Sequence, residues 1–255
     1  RVEATMSVRV LTWNLFGLSD EHLDVRTEAA MFIALLGGTP EEVLQGGRPP
    51  PPPDVLLLQE VVERTWHAHL RPHLTAAGYT ILPLAPRPRE YFEVIAVRPP
   101  FVVTGHQVHK LTSDQGRELV EVTAERDGES WLLLTAHLES LRAGSALRMQ
   151  QARVVLERLA NHAGPALFGG DTNLRAEEAA QLPVSCDAWE ACGGKASERW
   201  TWGHGKGSRS RGARFDRIWG AGVAFSGLRC VGRQPVTPDG QPPSDHVGVL
   251  VSCRS

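Results

Sequence analysis

The sequence predicts an α/β protein of the α+β kind, in which two packed β-sheets are flanked by helices. Three observations support this fold class: many short strand-like segments, few helical ones, and no regular βαβ alternation of the kind that builds a Rossmann sheet. The chain has 255 residues, of which 42% are hydrophobic and 22% are charged. This length suits one large domain or two small ones, and the ordinary composition excludes disorder of the whole chain.

The N-terminal half is predicted to contain four strands and two helices. Residues 8–13 alternate and are rich in β-formers, as expected of a strand. Residues 54–58 form a short apolar run, which is typical of a fully buried strand. The remaining elements are helices over residues 26–36 and 63–74 and strands over residues 79–84 and 91–98.

Residues 37–53 contain Gly-Gly twice and end in five consecutive prolines. Because proline has no backbone donor, this segment cannot be a packed strand or helix, and we predict a surface loop with polyproline II character. A proline run can also bind a partner domain, although a spacer is the favoured interpretation. Since the 36 residues before the loop are too few to fold alone, we expect a single domain over residues 6–255.

The C-terminal half is predicted to consist mostly of strands with one long helix. Residues 146–160 form an amphipathic helix, because Met149, Ala152 and Val155 fall on one face. The predicted strands are residues 118–125, 130–136, 165–168, 214–219, 228–231 and 247–252.

The charge and the cysteines restrict the class of protein. A formal net charge of −2 argues against a general nucleic-acid coat, but not against an enzyme that binds one phosphate locally. The longest apolar runs are far shorter than the ~18 residues of a membrane span, so we expect no membrane partner. The four cysteines form no CxxC pair and no export signal opens the chain, so we expect reduced thiols in a cytoplasmic protein.

Arginine greatly outnumbers lysine, since only Lys110, Lys195 and Lys206 are lysines. This bias, with abundant Ala, Gly and Pro, indicates a GC-rich and hence bacterial source; a eukaryotic source would instead suggest the nucleus. Met6 resembles a natural start, so we interpret residues 1–5 as a cloning remnant.

Polar side chains recur where predicted strands end or begin: Asn14, Glu60, His137, Asp171, Asn173, Asp216, Asp245 and His246. Each alone could be a turn residue or a cap, but so many together indicate one functional site. Glu60, Asp171 and Asp245 are hard oxygen donors, which suit a Mg²⁺ ion completed by substrate phosphate. With two histidines that can donate to phosphoryl oxygens, the set predicts metal-assisted phosphoester hydrolysis.

Two other groups of basic side chains indicate a function less clearly than this polar set does. His69 and His73 lie four residues apart on a predicted helix, but no catalytic glutamate stands between them, so a surface helix is favoured over a zinc site. The basic segment after Trp202 is equally compatible with contact to a DNA backbone and with a solvated loop. It contains Lys206, Arg209, Arg211, Arg214 and Arg217.

Four short motifs follow one another along the chain: Thr12-Trp13-Asn14, Leu58-Gln59-Glu60, Gly170-Asp171-Thr172-Asn173 and Ser244-Asp245-His246. They resemble the signatures of the endonuclease/exonuclease/phosphatase superfamily. The resemblance covers roughly residues 8–252 and implies a DNase I-like, four-layer αββα sandwich with two mixed sheets.

Longer strings resemble the 5′-tyrosyl-DNA phosphodiesterase family within that superfamily: Leu11-Thr12-Trp13-Asn14, Thr135-Ala136-His137-Leu138-Glu139-Ser140, Gly170-Asp171-Thr172-Asn173-Leu174-Arg175 and Arg214-Phe215-Asp216-Arg217-Ile218. This resemblance implies a Mg²⁺-dependent phosphodiesterase, with Mn²⁺ as a substitute, that hydrolyses 5′-tyrosyl-DNA bonds in DNA repair and leaves a 5′-phosphate. The implied substrate is DNA with a 5′-tyrosyl or otherwise blocked 5′ end, single-stranded at its terminus, and the implied enzyme is a monomer.

The resemblance also implies roles for individual residues. Glu60 is the implied main metal ligand, with Asn14 nearby and Asp245 reaching the ion directly or through water. Asp171 is the implied base that deprotonates the attacking water. The implied partners of the phosphoryl group are Asn173, His246 (oriented by Asp216), His137 and Ser140, and the implied groove residues are Arg117, Tyr91, Arg175 and Trp202.

Two alternatives remain open at this point. One is another hydrolase of the superfamily, such as an abasic-site or general nuclease, or a phosphatase that acts on a small or lipid phosphate. The other is a non-enzymatic nucleic-acid-binding module, which the complete polar set argues against.

Overall fold

The computed structural model describes residues 7–36, 51–203 and 212–255. The predictions for residues 1–6, for most of the proline-rich loop and for Lys206, Arg209 and Arg211 lie outside these ranges. Within them the chain forms two mixed sheets with helices on both outer faces. The predicted αββα architecture is therefore confirmed.

The first sheet has six strands: β1 (Val8–Asn14), β2 (Val55–Val61), β3 (Thr80–Leu82), β4 (Phe92–Val97), β10 (Ala224–Val231) and β11 (Gly248–Arg254). Their order is β10-β11-β1-β2-β4-β3, and only β1 and β2 are parallel neighbours among them. The second sheet has five strands: β5 (Val102–Lys110), β6 (Glu118–Arg126), β7 (Glu129–Ala136), β8 (Ala166–Asp171) and β9 (Asp216–Ala221). They follow in chain order, with β7 and β8 parallel.

Helices cover the outer face of each sheet. The first sheet packs against α1 (Leu23–Leu36) and α2, which runs through Glu63–Thr65, a π-helical turn at Trp66–Leu70, and Arg71–Ala76. The second packs against α3 (Ser145–Asn161). Shorter helices are α4 (Ala176–Ala179), α5 (Ala188–Ala191) and a 3₁₀ turn at Ala196–Glu198.

Strand alternation explains how the layers form. In β1, Val8 and Val10 pack between the two sheets, whereas Leu11 and Trp13 pack against the helices of the first sheet. All four side chains are fully buried, and burial of each contributes roughly 1.5–3 kcal/mol or more. A strand buried on both faces is apolar throughout, which is why the sequence pattern predicts β1, β2, β7 and β8 so well.

The same alternation positions the functional side chains. Asn14, His137 and Asp171 each follow an inward-facing strand residue by two positions, so they point into the gap between the sheets at its edge. Asp171 pairs with Asp216 across β8 and β9 and forms an isolated bridge to His137. The fold thus gathers side chains that are far apart in sequence.

A polar bridge joins the two sheets beneath this edge. Gln59 Nε2 donates to Thr135 Oγ1 at 2.8 Å, and Thr135 Oγ1 donates to the Gly169 carbonyl at 2.7 Å. Gly169 allows this close approach, because a Cβ there would lie 2.6 Å from Leu57 Cδ1 of the opposite sheet. The bridge fixes the spacing of the sheets where their ends carry polar groups.

The clearest omission of the sequence prediction is β5, an edge strand with few buried positions. Such a strand lacks the buried alternation by which strands are predicted. The boundaries of other strands differ by a few residues. The strands β2 and β8 each end three residues later than predicted, β9 begins at Asp216 rather than at residue 214, and β10 begins at Ala224, ahead of a register shift after Ser226.

A buried ion pair holds α3 to α4, and its arginine also binds the loop that follows β7. Arg148 is fully buried; its guanidinium donates to Glu178 at 2.6 Å and to the Glu139 and Leu141 carbonyls at 2.9 and 3.0 Å. We expect Arg148→Met to lower the free energy of unfolding by about 3–5 kcal/mol, because Glu178 would remain buried without its partner. Urea denaturation would measure this loss.

The matched control is Arg153→Met, at an exposed position on the same helix. Addition of Glu178→Gln to the Arg148→Met variant should restore part of the stability, since no unpaired charge would remain. A loss no larger than that of the control would contradict the assignment.

Candidate active site

A cavity of about 620 Å³ opens at the edge where the two sheets meet. Eleven predicted site residues line it: Glu60, Tyr91, Arg117, His137, Ser140, Asp171, Asn173, Arg175, Trp202, Asp245 and His246. The other two, Asn14 and Asp216, are buried directly behind it. The structure therefore brings all thirteen predicted residues to one place, although their roles remain predictions.

The centre of the cavity wall is a group of two carboxylates, an amide and an imidazole. Asn14 Nδ2 donates to Glu60 Oε1 at 3.1 Å and to Asp171 Oδ2 at 3.0 Å. His137 lies between the same carboxylates, with its ring nitrogens 3.5 Å from Glu60 Oε1 and 3.3 Å from Asp171 Oδ2. Because Asn14 and Glu60 come from the first sheet and Asp171 from the second, the group spans the gap between the sheets.

His246 carries a positive charge in this site. Its Nδ1 lies 2.8 Å from Asp216 Oδ2, and its Nε2 lies 3.6 Å from Asp171 Oδ2. Burial alone would lower the pKa of His246, but the Asp216 and Asp171 carboxylates outweigh it and raise the pKa to about 10. The ring therefore presents an N–H donor at Nε2, on the side of the cavity.

His137 differs from His246 in charge. Burial holds the pKa of His137 well below its usual range, and the positive charges of Arg117 and His246 lower it further. The ring is neutral, so it offers one donor and one acceptor. The site thus contains one charged and one uncharged imidazole, each buried.

The serine of the Ser-Asp-His motif has a structural role, because it forms hydrogen bonds that position the segment. Ser244 Oγ donates to the Asn14 carbonyl at 2.7 Å and accepts from the His246 backbone N–H at 3.0 Å. Trp13 Nε1 donates to the His246 carbonyl at 3.1 Å. These bonds tie the segment before β11 to the end of β1, and so fix His246 against Asp171.

Asp171 has the environment of a base poised near neutral pH. Burial raises the pKa of its carboxyl to about 7, with His246 opposing the rise and Asp216 adding to it. Its Oδ1 accepts from the Asn173 backbone N–H at 3.0 Å. The carboxylate is therefore held in one orientation by two fixed donors, Asn173 and Asn14.

A hard divalent cation fits beside Glu60. Burial raises the pKa of this carboxyl, and its hydrogen-bond donor is the neutral amide of Asn14 rather than a cation. A nearby cation would offset the penalty of keeping such a carboxylate charged. The carboxylate oxygens of Glu60 and Asp245 suit Mg²⁺ better than zinc. Asn14 lies beside them, but it directs Nδ2 at Glu60 and its Oδ1 accepts from the Phe16 backbone N–H at 2.9 Å.

Asp171, Asp216 and His246 also bring three ligand atoms within 4.8 Å of one another. However, Asp216 and His246 already form an ion pair with each other. A protonated imidazole cannot ligate a metal. These three residues therefore form a hydrogen-bonded network of charged groups rather than a metal centre.

The mouth of the cavity is formed by Trp202 and Asp245. Trp202 is 37% exposed, and its Nε1 donates to Asp245 Oδ2 at 3.0 Å. Its ring packs on Phe215 with centroids 5.4 Å apart. Asp245 Oδ1 lies 4.0 Å from His246 Nε2, so this carboxylate faces both the solvent and His246.

Arg117 forms the opposite wall with Tyr91. Its guanidinium hydrogen-bonds to the Tyr91 hydroxyl, lies 5.7 Å from the ring centroid, and donates to Ser140 Oγ at 3.2 Å. Burial raises the pKa of Tyr91 to about 12, so its hydroxyl stays protonated. This wall combines a fixed positive charge with an aromatic face.

Two residues that support this wall were not predicted as site residues. Gln115 Oε1 accepts from Arg117 at 2.9 Å and from the Ser140 backbone N–H at 2.8 Å. Glu139 accepts from Ser113 Oγ and from the Gln115 backbone N–H, and so orders the loop. Glu139 belongs to a recognisable motif, whereas Gln115 lies in a polar loop and carries no sequence signal.

Backbone strain is concentrated at the cavity. Among the described residues outside glycine, six have positive φ, and four of these line the cavity: Phe16, Glu60, Leu141 and Asn173. Each such residue costs of order 1–3 kcal/mol, and strain of this kind typically collects at functional sites. The neighbouring Gly17 is required, since a Cβ there would lie 2.1 Å from the Glu60 carbonyl oxygen.

A second cavity of about 710 Å³ adjoins the first and shares Arg175, Trp202 and Phe215 with it. Four arginines and four tryptophans line it, together with three carboxylates and several aliphatic side chains. Arg199 lies 4.4 Å from the Trp200 ring centroid, and Arg214 lies 4.8 Å from that of Trp189. Arg/Trp surfaces of this kind suit phosphates and stacked bases.

No described helix is long and apolar enough to cross a membrane. Residues 11–246 match the Endonuclease/Exonuclease/phosphatase family. Tyrosyl-DNA phosphodiesterase 2 of Gallus gallus is 31% identical over 97% of this chain and 66% of the relative. The 5′-tyrosyl-DNA phosphodiesterase of Caenorhabditis briggsae is 32% identical over 93% of this chain and 66% of the relative. The chain thus spans slightly less than two thirds of these curated relatives.

A solved structure of Danio rerio TDP2 with a single-strand DNA product is 25% identical, with a TM-score of 0.81, over 98% of this chain and 99% of that one. The similarity extends across both sheets and both flanking layers. The two curated relatives are animal proteins, so they give no support to the bacterial source inferred from the arginine bias.

Proposed function

Because this chain belongs to the endonuclease/exonuclease/phosphatase family, we propose that it is a Mg²⁺-dependent phosphodiesterase that hydrolyses 5′-tyrosyl-DNA bonds. Water attacks the phosphorus, the bond to the tyrosyl oxygen breaks, and the DNA keeps a 5′-phosphate. The observation that carries the proposal is the convergence of Glu60, Asp171 and His246 in one cavity. The printed activities of the curated relatives support the choice of substrate.

Asp171 is the residue suited to activate the water. Its carboxylate is fixed by Asn14 and by the Asn173 backbone, so a water bound to it would be held in one direction for in-line attack. A pKa raised by burial to about 7 makes the carboxylate a stronger base than a solvent-exposed aspartate. Asp171 takes the proton as the bond to phosphorus forms.

Charge that develops on the phosphoryl oxygens is met by donors already in place. His246 directs a protonated Nε2 into the cavity, and Asp216 keeps it charged and oriented. His137, Asn173 and Ser140 line the same space and can supply further donors. Such preorganised donors stabilise the transition state because they need no reorganisation during the reaction.

The proposed metal site consists of the Glu60 and Asp245 carboxylates, with Asn14 beside Glu60. When bound, Mg²⁺ supplies a Lewis acid that neutralises charge on the phosphoryl oxygens. Mn²⁺, which prefers similar oxygen ligands, is the expected substitute. Glu60 provides the buried charge. Asp245 is partly exposed, and it could reach the ion directly or through water while its Oδ2 accepts from Trp202.

The leaving group explains why Arg117 and Tyr91 are suited to the reaction. A tyrosine phenol has a pKa of ~10, several units below that of an alkoxide, so it leaves without a strong general acid. The guanidinium of Arg117 stays charged and buried beside an aromatic face, which favours an aromatic ring that gains negative charge. The wall therefore favours a tyrosyl group over a sugar.

The Arg/Trp cavity next to the site supports a single-stranded DNA end as the substrate. Arg175 and Trp202 belong to both cavities, so a strand whose 5′ phosphate reaches Asp171 could continue along the second one. Aromatic stacking contributes ~1–3 kcal/mol per base and is tolerant of sequence. We propose that the DNA follows this path.

The cysteines bear on the cellular compartment of the protein. Among the described residues Cys186, Cys192, Cys230 and Cys253 are free thiols, which supports a reducing compartment. We propose a cytoplasmic enzyme, or a nuclear one in a eukaryotic source, that acts as a monomer.

Three substrates separate the proposal from its alternatives: a 5′-tyrosyl oligonucleotide, an abasic duplex and a small phosphate monoester. The first should be cleaved with the highest kcat/KM, and thymidine 5′-p-nitrophenyl phosphate should serve as a chromogenic substitute. Chelation should abolish both activities and added Mg²⁺ should restore them. Faster cleavage of the abasic duplex or the monoester, or activity unaffected by chelator, would overturn the proposal.

Asp216→Asn tests the positioning of His246. We expect kcat to fall about 100-fold, because the ring loses the carboxylate that keeps it charged and oriented. NMR titration of the His246 ring should show a lower pKa, which a purely structural role would not produce. An unchanged His246 pKa together with full activity would contradict the assignment.

A further inference from the structure

Four ionisable side chains face one another on the outer layer of the first sheet, away from the cavity. Asp24 and Glu28 lie one turn apart on α1, and His69 and His73 lie four residues apart on α2. Glu28 Oε2 is 2.7 Å from His69 Nδ1 and 2.8 Å from His73 Nε2. Two imidazoles on one helix therefore converge on a single carboxylate oxygen of another.

We propose that Glu28, His69 and His73 form a Zn²⁺ site that links α1 to α2. This proposal is independent of the proposed function. Two imidazole nitrogens and one carboxylate oxygen, with water in the fourth position, are a ligand set that zinc adopts in proteins. Imidazole ligands also distinguish this cluster from the oxygen-rich set beside Glu60.

The geometry requires only small side-chain movements. The candidate ligand atoms all lie within 4.8 Å of one another. Around a tetrahedral ion with ligand bonds of about 2.0–2.1 Å, such atoms lie roughly 3.3 Å apart. His73 and Glu28 are partly exposed, so their rotamers can adjust without disturbing the core.

His69 already has the outer partner that a metal-ligating histidine needs. Its Nε2 lies 3.1 Å from Asp24 Oδ1, and Asp24 in turn pairs with Arg64. A hydrogen bond from Nε2–H to this carboxylate selects the tautomer in which Nδ1 is free to bind a metal. His69 is only 15% exposed, so its ring is held in this orientation.

The sequence motif alone favoured a surface helix over a zinc site, because the third ligand is remote in sequence. His69 and His73 form an i,i+4 pair without a glutamate between them, and Glu28 precedes His69 by 41 residues. The prediction of a surface helix describes the position of these histidines correctly. The contact between α1 and α2 adds the carboxylate that turns a histidine pair into a ligand set.

A metal here would brace the helix that supports one edge of the cavity. The opposite face of α1 carries Arg26, which is buried and donates to the carbonyls of Ser19 and Pro243 at 2.7 and 3.2 Å. Both lie in segments that flank cavity residues. A link from α1 to α2 would hold this helix in place from its outer side.

Calorimetric titration of the tag-free protein with ZnCl₂, in saturating Mg²⁺, tests the site. We expect one zinc equivalent to bind to the wild type and to Glu60→Gln, which alters the active site. His73→Gln and Glu28→Gln should weaken binding at least 10-fold. His67→Gln is the matched control, since His67 is on the same helix but outside the cluster, and it should bind as the wild type does.

Co²⁺ provides a second readout, because tetrahedral coordination gives intense visible absorption bands. These bands should be present in the wild type and in His67→Gln and absent in His73→Gln. His73 is 39% exposed, so this variant should fold normally, and circular dichroism would verify it. Equal zinc affinity in the wild type and His73→Gln, or loss of binding in Glu60→Gln alone, would overturn the proposal.

Discussion

Replacement of Asp171 by Asn should lower kcat on a 5′-tyrosyl oligonucleotide by about 10³–10⁴-fold. The amide has nearly the same shape as the carboxylate, but it cannot accept a proton from water. It also removes one of the three nearby carboxylates, those of Asp216, Asp171 and Asp245, that raise the pKa of His246. Two functions are therefore lost in a single substitution, which is why the expected effect is large.

Single-turnover kinetics would separate this loss from any change in binding. KM should change little. The melting temperature should fall, because the single amide oxygen of the new side chain can accept from only one of its two former donors, the Asn14 side chain and the Asn173 backbone. Asp127→Asn is the control: it makes the same chemical change in the exposed turn between β6 and β7, at the opposite end of the sheet. A variant that keeps more than a tenth of the wild-type kcat would exclude Asp171 as the base.

Replacement of Glu60 by Gln should produce the second large effect, at least a 100-fold loss of kcat/KM at fixed Mg²⁺. Gln preserves the size of the side chain but removes the buried negative charge that attracts the ion. The concentration of Mg²⁺ that gives half-maximal activity should rise at least 10-fold, and high Mg²⁺ should restore part of the activity.

The control for this variant is Glu63→Gln, three residues further along the chain, with a largely exposed side chain. Its Mg²⁺ dependence should match that of the wild type. Titration of activity with Mg²⁺ and with Mn²⁺ measures both variants under the same conditions. An unchanged Mg²⁺ requirement in Glu60→Gln would place the metal elsewhere in the cavity.

Much of the fold could be predicted because the central strands are buried on both faces. Apolar runs that end in Asn14, Glu60 and Asp171 mark both the strand and the residue presented at its end. The edge strand β5 could not be predicted in this way, because few of its side chains are buried.

The site was predictable to the extent that its residues lie in short motifs. His246, Asp171 and Asn14 are each recognisable within three or four residues of sequence. In contrast, Gln115 supports Arg117 from a loop. Glu28, in the proposed zinc site, meets His69 through a contact between two helices. Such contacts depend on the tertiary structure, so no local pattern reveals them.

The hydrogen bonds from Gln59 through Thr135 to Gly169 affect which amino-acid substitutions this protein can tolerate. Since the proposed metal ligands and the proposed general base belong to opposite halves of the sandwich, turnover should depend on the alignment of two separate scaffolds. A misplacement of about 1 Å can reduce a rate 100-fold, far more than it need alter stability. Substitutions deep in the shared interior, remote from any substrate, should therefore be selected against for their effect on rate before they threaten folding.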